Sequence, residues 1–171
     1  MSEFLQKLGS YQIMTNLLPG AFLAGMLRML FKIELPSTGI FEIIIACYFW
    51  GLIVNRIGSL IIEPILTRPI GKNKFKLIDR ALYSEYLSAS QADTKLDALS
   101  ETNNCYRSFM TASLILPIVY GLSWLYSNCL WFNEYWRWFA VLFLVMLFFF
   151  SIKKQTAYVR DRVNQTYRRE K

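Results

Sequence analysis

Asn55, Arg56, Ser59 and Glu63 lie inside the apolar run from Ile40 to Leu66. Steps of three and four residues put all four on one face of an α-helix, where an amide, a guanidinium, a hydroxyl and a carboxylate can meet. Such groups are expensive in hydrocarbon and either pair within a helix bundle or face water. Two chemistries fit the stripe. In the first, Arg56 pairs with Glu63 or with carbonyls of another span, Asn55 and Ser59 hydrogen-bond across helices, and the set fixes packing. In the second, the stripe lines a polar pathway or its inner mouth when several copies assemble, because a chain with four short spans encloses little interior alone.

A second group of polar residues flanks the apolar runs. Lys72, Lys74, Lys76 and Arg80 could hold phosphates, while Asn103, Asn104, Arg107 and Arg160 suit hydrogen bonding to a polar ligand. The same cations also serve membrane topology and contact with anionic lipid. The chain has no histidine, which removes the commonest metal ligand and every histidine-based triad. It also lacks Gly-rich phosphate loops and paired Asp-rich motifs. No catalytic residue, metal site or cofactor is therefore expected, and the reading is not that of an enzyme. Cys47, Cys105 and Cys129 have no paired spacing and are expected to be thiols.

These side chains must be positioned by four apolar runs: Leu17 to Ile33, Ile40 to Leu66, Phe109 to Phe132 and Trp138 to Ile152. A hydrophobic fraction of 54%, with 16% aromatics, exceeds what a globular core needs. The expectation is an all-α membrane protein with four transmembrane helices and cytoplasmic helical extensions. Residues 1–66 would form an N-terminal hairpin, 67–106 a cytoplasmic helical linker region, 107–152 a C-terminal hairpin and 153–171 a basic cytoplasmic helix. Thr15 to Gly20 reads as a capped helix start with proline in its first turn, and Lys32 to Gly39 as a tight turn. The second span as one helix from Phe41 would be about 39 Å long at ~1.5 Å per residue, more than the roughly 30 Å of hydrocarbon. Pro64 and Pro69 bracket its exit. Beyond it, Leu77 to Ala89 has amphipathic spacing, Ser90 to Thr94 suggests a turn, and Leu96 to Arg107 is expected to run straight into the third span.

Of the 19 Lys and Arg residues, only Arg28, Lys32, Arg56 and Arg137 lie in spans or in the short connections on the other side. The positive-inside rule then puts both termini and the central loop in the cytoplasm. Residues 1–10 are polar and mixed, so the first span is expected to act as its own insertion signal.

Three segments carry a resemblance: Asn55 to Pro64, Ser100 to Asn104 followed by Tyr106 and Arg107, and Lys154 to Arg160. On these the chain resembles the small multi-pass membrane effectors of bacterial anti-phage defence operons, most of all the membrane partner in Hailong-type defence. The membrane subunit of Kiwa-type defence has a similar four-span plan. The resemblance implies a homo-oligomeric channel, a tetramer being one closed form, that dissipates the membrane gradient when a nucleotide or nucleic-acid oligomer acts on its cytoplasmic side. It further implies a nucleotidyltransferase or nuclease encoded nearby as partner, alongside membrane lipid. The other reading is a membrane scaffold or sensor that recruits a soluble effector through its cytoplasmic helices.

Overall fold

The computed structural model describes residues 9, 12–33, 39–69, 77–78, 83–93 and 95–169, and among them every element is helical. Four helices are long and apolar enough to cross a membrane: α1 Ile13–Phe31, α2 Ile40–Thr67, and the helices that contain Lys95–Asn128 and Leu130–Asp161. A short helix, α3 Tyr83–Ala92, precedes α4 Lys95–Asn128, and α5 Leu130–Arg169 closes the chain. The continuous α4 and α5 match the expected helices that extend past the apolar runs. Of the amphipathic segment, Tyr83 to Ala89 is helical and Leu77 and Ile78 are not, while residues 79–82 lie outside the described residues.

Large apolar side chains point outward, as on Phe41 (74% exposed), Trp138 (73%) and Leu142 (59%). Much of the interior is small or polar instead: Thr15, Asn16, Pro19, Gly20, Gly51, Gly58, Ser108, Thr111 and Ala112 are all buried. Helix pairs in lipid gain little from apolar contact with each other, because acyl chains are equally apolar, so close backbone approach and hydrogen bonds drive their packing. α1 and α2 use that route. A Cβ on Gly20 would collide with the carbonyl oxygen of Cys47, and one on Gly51 with that of Asn16. Only glycine permits two backbones so close.

α4 completes the three-helix contact. Leu23, Val54 and Ala112, one from each helix, form its buried apolar centre, bordered by Phe22, Leu27, Ile115 and Leu116. Phe22 meets Phe109 edge-on with ring centroids 5.5 Å apart, and Phe31 reaches Tyr120 at 6.2 Å. α5 is the least covered span, with Leu147 and Ser151 its buried residues. α3 lies against α5 through Tyr83 and Tyr158, whose ring centroids are 4.9 Å apart.

Helix ends follow local chemistry. Lys32 closes α1 in the left-handed conformation, φ 56°, with its N–H donating to Arg28. This is an αL stop without glycine; most of the turn expected after it lies outside the described residues. Arg68 ends α2 in extended backbone, φ −70° and ψ 139°, as the ring of Pro69 demands of its predecessor.

Two expectations are corrected. Thr15 and Asn16 are not a helix cap: both are buried inside α1, which begins earlier. The reversal between the last two spans also falls at Cys129, not at Asn133 to Arg137. Asn128 Nδ2 donates to the Trp124 carbonyl at 2.7 Å, holding the last turn of α4. Tyr126 and Trp136 meet across the bend at 6.3 Å. The polar residues Asn133, Glu134 and Arg137 sit in the first turns of α5 among Trp131, Tyr135, Trp136 and Trp138, a composition that suits a membrane interface while keeping its backbone bonded as helix. The Arg137 guanidinium lies 6.0 Å from the Trp136 ring centroid.

Candidate functional site

Pro64 sets the geometry of the second span. Its ring would clash with the carbonyl of Leu60 in a regular α-helix, and it has no N–H to donate. The chain meets this with a π-turn over Gly58–Ile62 immediately before Glu63. A π-turn holds one more residue than an α-turn, so everything beyond it is rotated back by roughly 100°. In an unbroken α-helix Arg56 and Glu63 would lie about 20° apart around the axis and Asn55 and Glu63 about 80° apart. With the extra residue those separations become about 120° and about 20°. Asn55, Ser59 and Glu63 therefore share the inward face, and Arg56 leaves it.

The side-chain contacts agree. Arg107 on α4 donates from Nη1 to Glu63 Oε2 at 2.6 Å and from Nη2 to Asn55 Oδ1 at 3.0 Å. Lys154 on α5 donates to the Ser59 carbonyl at 2.6 Å, to Ser59 Oγ at 2.8 Å and to Glu63 Oε2 at 3.3 Å. Asn55 Nδ2 donates in turn to Asn16 Oδ1 at 3.0 Å on α1. Asn16 Nδ2 donates to Gln12 Oε1 at 2.6 Å, where the Tyr48 hydroxyl also donates at 2.9 Å. One connected polar network thus joins all four spans.

A second π-turn, Ile13–Leu17, holds Asn16 and is followed by Pro19, repeating the arrangement of Gly58–Ile62 ahead of Pro64. Such turns recur at functional sites because they redirect individual side chains without ending the helix. Here both redirected segments feed the same network.

Its charge balance is uneven. Glu63 is the one carboxylate in these contacts and two cations bind it, with side chains 14%, 17% and 26% exposed for Glu63, Arg107 and Lys154. The Asn55 amide oxygen and the Ser59 carbonyl each accept one further donor, from Arg107 and Lys154 respectively. Thr111 and Ser151 return their hydroxyls to the carbonyls one turn back at 2.8 Å each, a common way to satisfy such groups in an apolar helix. Ser108 Oγ is buried in the same interior without a hydrogen-bond partner among the described residues.

The expected pair of Arg56 with Glu63 is not formed. Arg56 is half-buried, with no hydrogen bond or ion pair among the described residues. Of the ligand-facing group, Arg107 is turned into the polar core. Asn103 is exposed and Asn104 half-buried one turn earlier on α4. Arg160 is at the surface, 3.6 Å from its chain neighbour Asp161. Lys72, Lys74, Lys76 and Arg80 lie outside the described residues. Sequence reasoning missed Gln12, Asn16, Tyr48 and Lys154 as members of the network. The available signal was that Asn16 stands in an apolar stretch three residues before a proline, as Ser59 stands shortly before Pro64.

No cluster of three or more His, Cys, Asp or Glu side chains suited to a metal occurs among the described residues. Cys47, Cys105 and Cys129 are free thiols. No protein-family model, no curated protein and no solved structure matches this chain significantly.

Proposed function

We propose that this chain is a homo-oligomeric channel effector of the bacterial inner membrane, with both termini cytoplasmic, and that the Glu63 network is the clamp that keeps it shut. The observation that carries this reading is the convergence of Arg107 and Lys154, from two different spans, on one oxygen of Glu63. A largely buried ion cluster is weak as adhesive: well-packed apolar side chains of similar volume often stabilise as much or more. Its use at the junction of four membrane helices supports a switchable element, whose two packings a ligand can favour unequally.

Asn55, Ser59 and Glu63 are occupied by partners of their own chain, so the stripe does not serve as an open pathway within one subunit. Conduction on this reading needs release of the clamp together with assembly around a symmetry axis. The basic flank supports gating from the cytoplasm by a nucleotide, a nucleic-acid oligomer or a protein partner. The resemblance to anti-phage effectors supports depolarisation of the membrane as the outcome.

Flux of small ions from proteoliposomes tests the proposal, with and without short nucleic-acid oligomers. Glu63→Gln is expected to raise basal flux several-fold at equal protein density. Absence of flux from both wild type and Glu63→Gln, in protein that assembles normally, would overturn it.

A scaffold that recruits a soluble partner is favoured by one feature. α3 stacks on the distal part of α5 through Tyr83 and Tyr158, building a helical surface beyond the apolar windows. That reading predicts no ion flux at all, and loss of partner capture on truncation after Tyr158, which keeps Lys154.

A further inference from the structure

A groove of about 700 Å³ runs between α2 and α5, bounded by Leu60 and Ile61 on one side and by Phe143, Met146, Leu147 and Phe150 on the other, with Lys153, Lys154 and Ala157 at one end. We infer that it binds an anionic phospholipid, one acyl chain lying along the Phe143 to Phe150 stripe and the headgroup phosphate on Lys153.

The dimensions favour a lipid over other occupants. Phe143 and Lys153 are ten residues apart on one helix, so they are separated by roughly 15 Å along its axis. That is half of the roughly 30 Å hydrocarbon thickness, the depth of a single leaflet. An apolar trough one leaflet deep that ends in a cation has the shape and polarity of an acyl chain with its phosphate. The spacing of the α5 residues, at steps of three and four, keeps them on one side of the helix.

Lys153 supplies the charge complementarity. It is exposed, and no ion pair or hydrogen bond engages it among the described residues. Its neighbour Lys154 lines the same groove while donating to Ser59 and Glu63. A phosphate on Lys153 therefore lies beside the polar core without having to displace its contacts. The inference stands whether or not the chain conducts ions.

The test uses full-length protein in vesicles of phosphatidylcholine containing a trace of spin-labelled phosphatidylglycerol or spin-labelled phosphatidylcholine. Electron paramagnetic resonance reads the motionally restricted fraction of each. Wild type should restrict phosphatidylglycerol roughly five-fold more strongly than phosphatidylcholine, the preference expected of one cation at a membrane surface. Lys153→Gln should bring the ratio near one, and Lys153→Arg should retain it. Leu60→Trp, which fills the trough, should reduce restriction of both lipids while the protein's melting temperature is unchanged. A wild-type ratio near one, or a preference that survives Lys153→Gln, overturns the inference. Absence of restricted lipid, with self-association lost in Leu60→Trp, overturns it in favour of a second copy of the chain as occupant.

Discussion

Arg107 and Lys154 stand on antiparallel helices joined at Cys129, yet their nitrogens reach the same oxygen of Glu63, at 2.6 and 3.3 Å. The C-terminal hairpin is thus pinned to α2 at the end of the spans opposite its own bend. Whatever holds or releases Glu63 acts on both legs of that hairpin together.

Replacing Glu63 by Gln should cost roughly 3 kcal/mol or more of stability, because it removes the carboxylate that both cations contact. The melting temperature in detergent should fall accordingly. A triple variant, Glu63→Leu with Arg107→Met and Lys154→Met, should recover much of the loss. Failure of the triple variant to recover would assign the site's contribution to hydrogen-bond geometry instead of charge balance.

Pro64→Ala removes a helix breaker and would stabilise an ordinary helix. Here it should destabilise, because a regular α-turn carries Glu63 about 100° away from Arg107 and Lys154. Adding Glu63→Gln to Pro64→Ala should then have little further effect, so a double-mutant cycle of melting or denaturant data should return a coupling of roughly 3 kcal/mol, about the whole cost of Glu63→Gln alone. Additive effects would detach the proline from the position of the carboxylate.

Gly20→Ala and Gly51→Ala should each separate α1 from α2, since the added carbon meets a backbone carbonyl that cannot step aside. Gly25 has open space where a Cβ would go, so Gly25→Ala should be neutral or stabilising by up to about 1 kcal/mol through helix propensity. Comparing melting temperatures and protease sensitivity of the three variants checks the contrast.

Tyr86 provides a pH signature away from the spans. Burial pushes its hydroxyl above the ordinary 10.0; donation to Asp97 at 2.9 Å pushes the same way, against an opposing hydrogen bond with Ser100. The neutral form is favoured by folding, so this contribution is fully present below pH 10 and is lost as pH rises through the elevated folded value. Tyr86→Phe should leave a stability profile flatter in that alkaline range, read by circular dichroism.

Much of this architecture was legible because apolar runs of sufficient length leave few alternatives to spanning helices. Asn55, Ser59 and Glu63 were legible as well, since charge and amide in an apolar run demand partners. Which partners was not legible. A constant turn angle puts Arg56 over Glu63, and the π-turn ahead of Pro64 undoes that phase over five residues. Asn16 carries the same residue types as a helix cap, and only the tertiary contact with Asn55 distinguishes a buried amide from a capping one. Lys154, next to the equally basic Lys153, gave no sign that one of the two turns inward. The bend at Cys129 escaped notice for a related reason: polar residues that usually mark a loop are here accommodated on a helix surface.

The carbonyl contacts at Gly20 and Gly51 leave α1 and α2 no room to slide or rotate past each other. They form a fixed mast. α4 is wedged against that mast through Ala112 and Phe109, so the leg with the least cover is α5, and Lys154 is the latch that ties it to the rest.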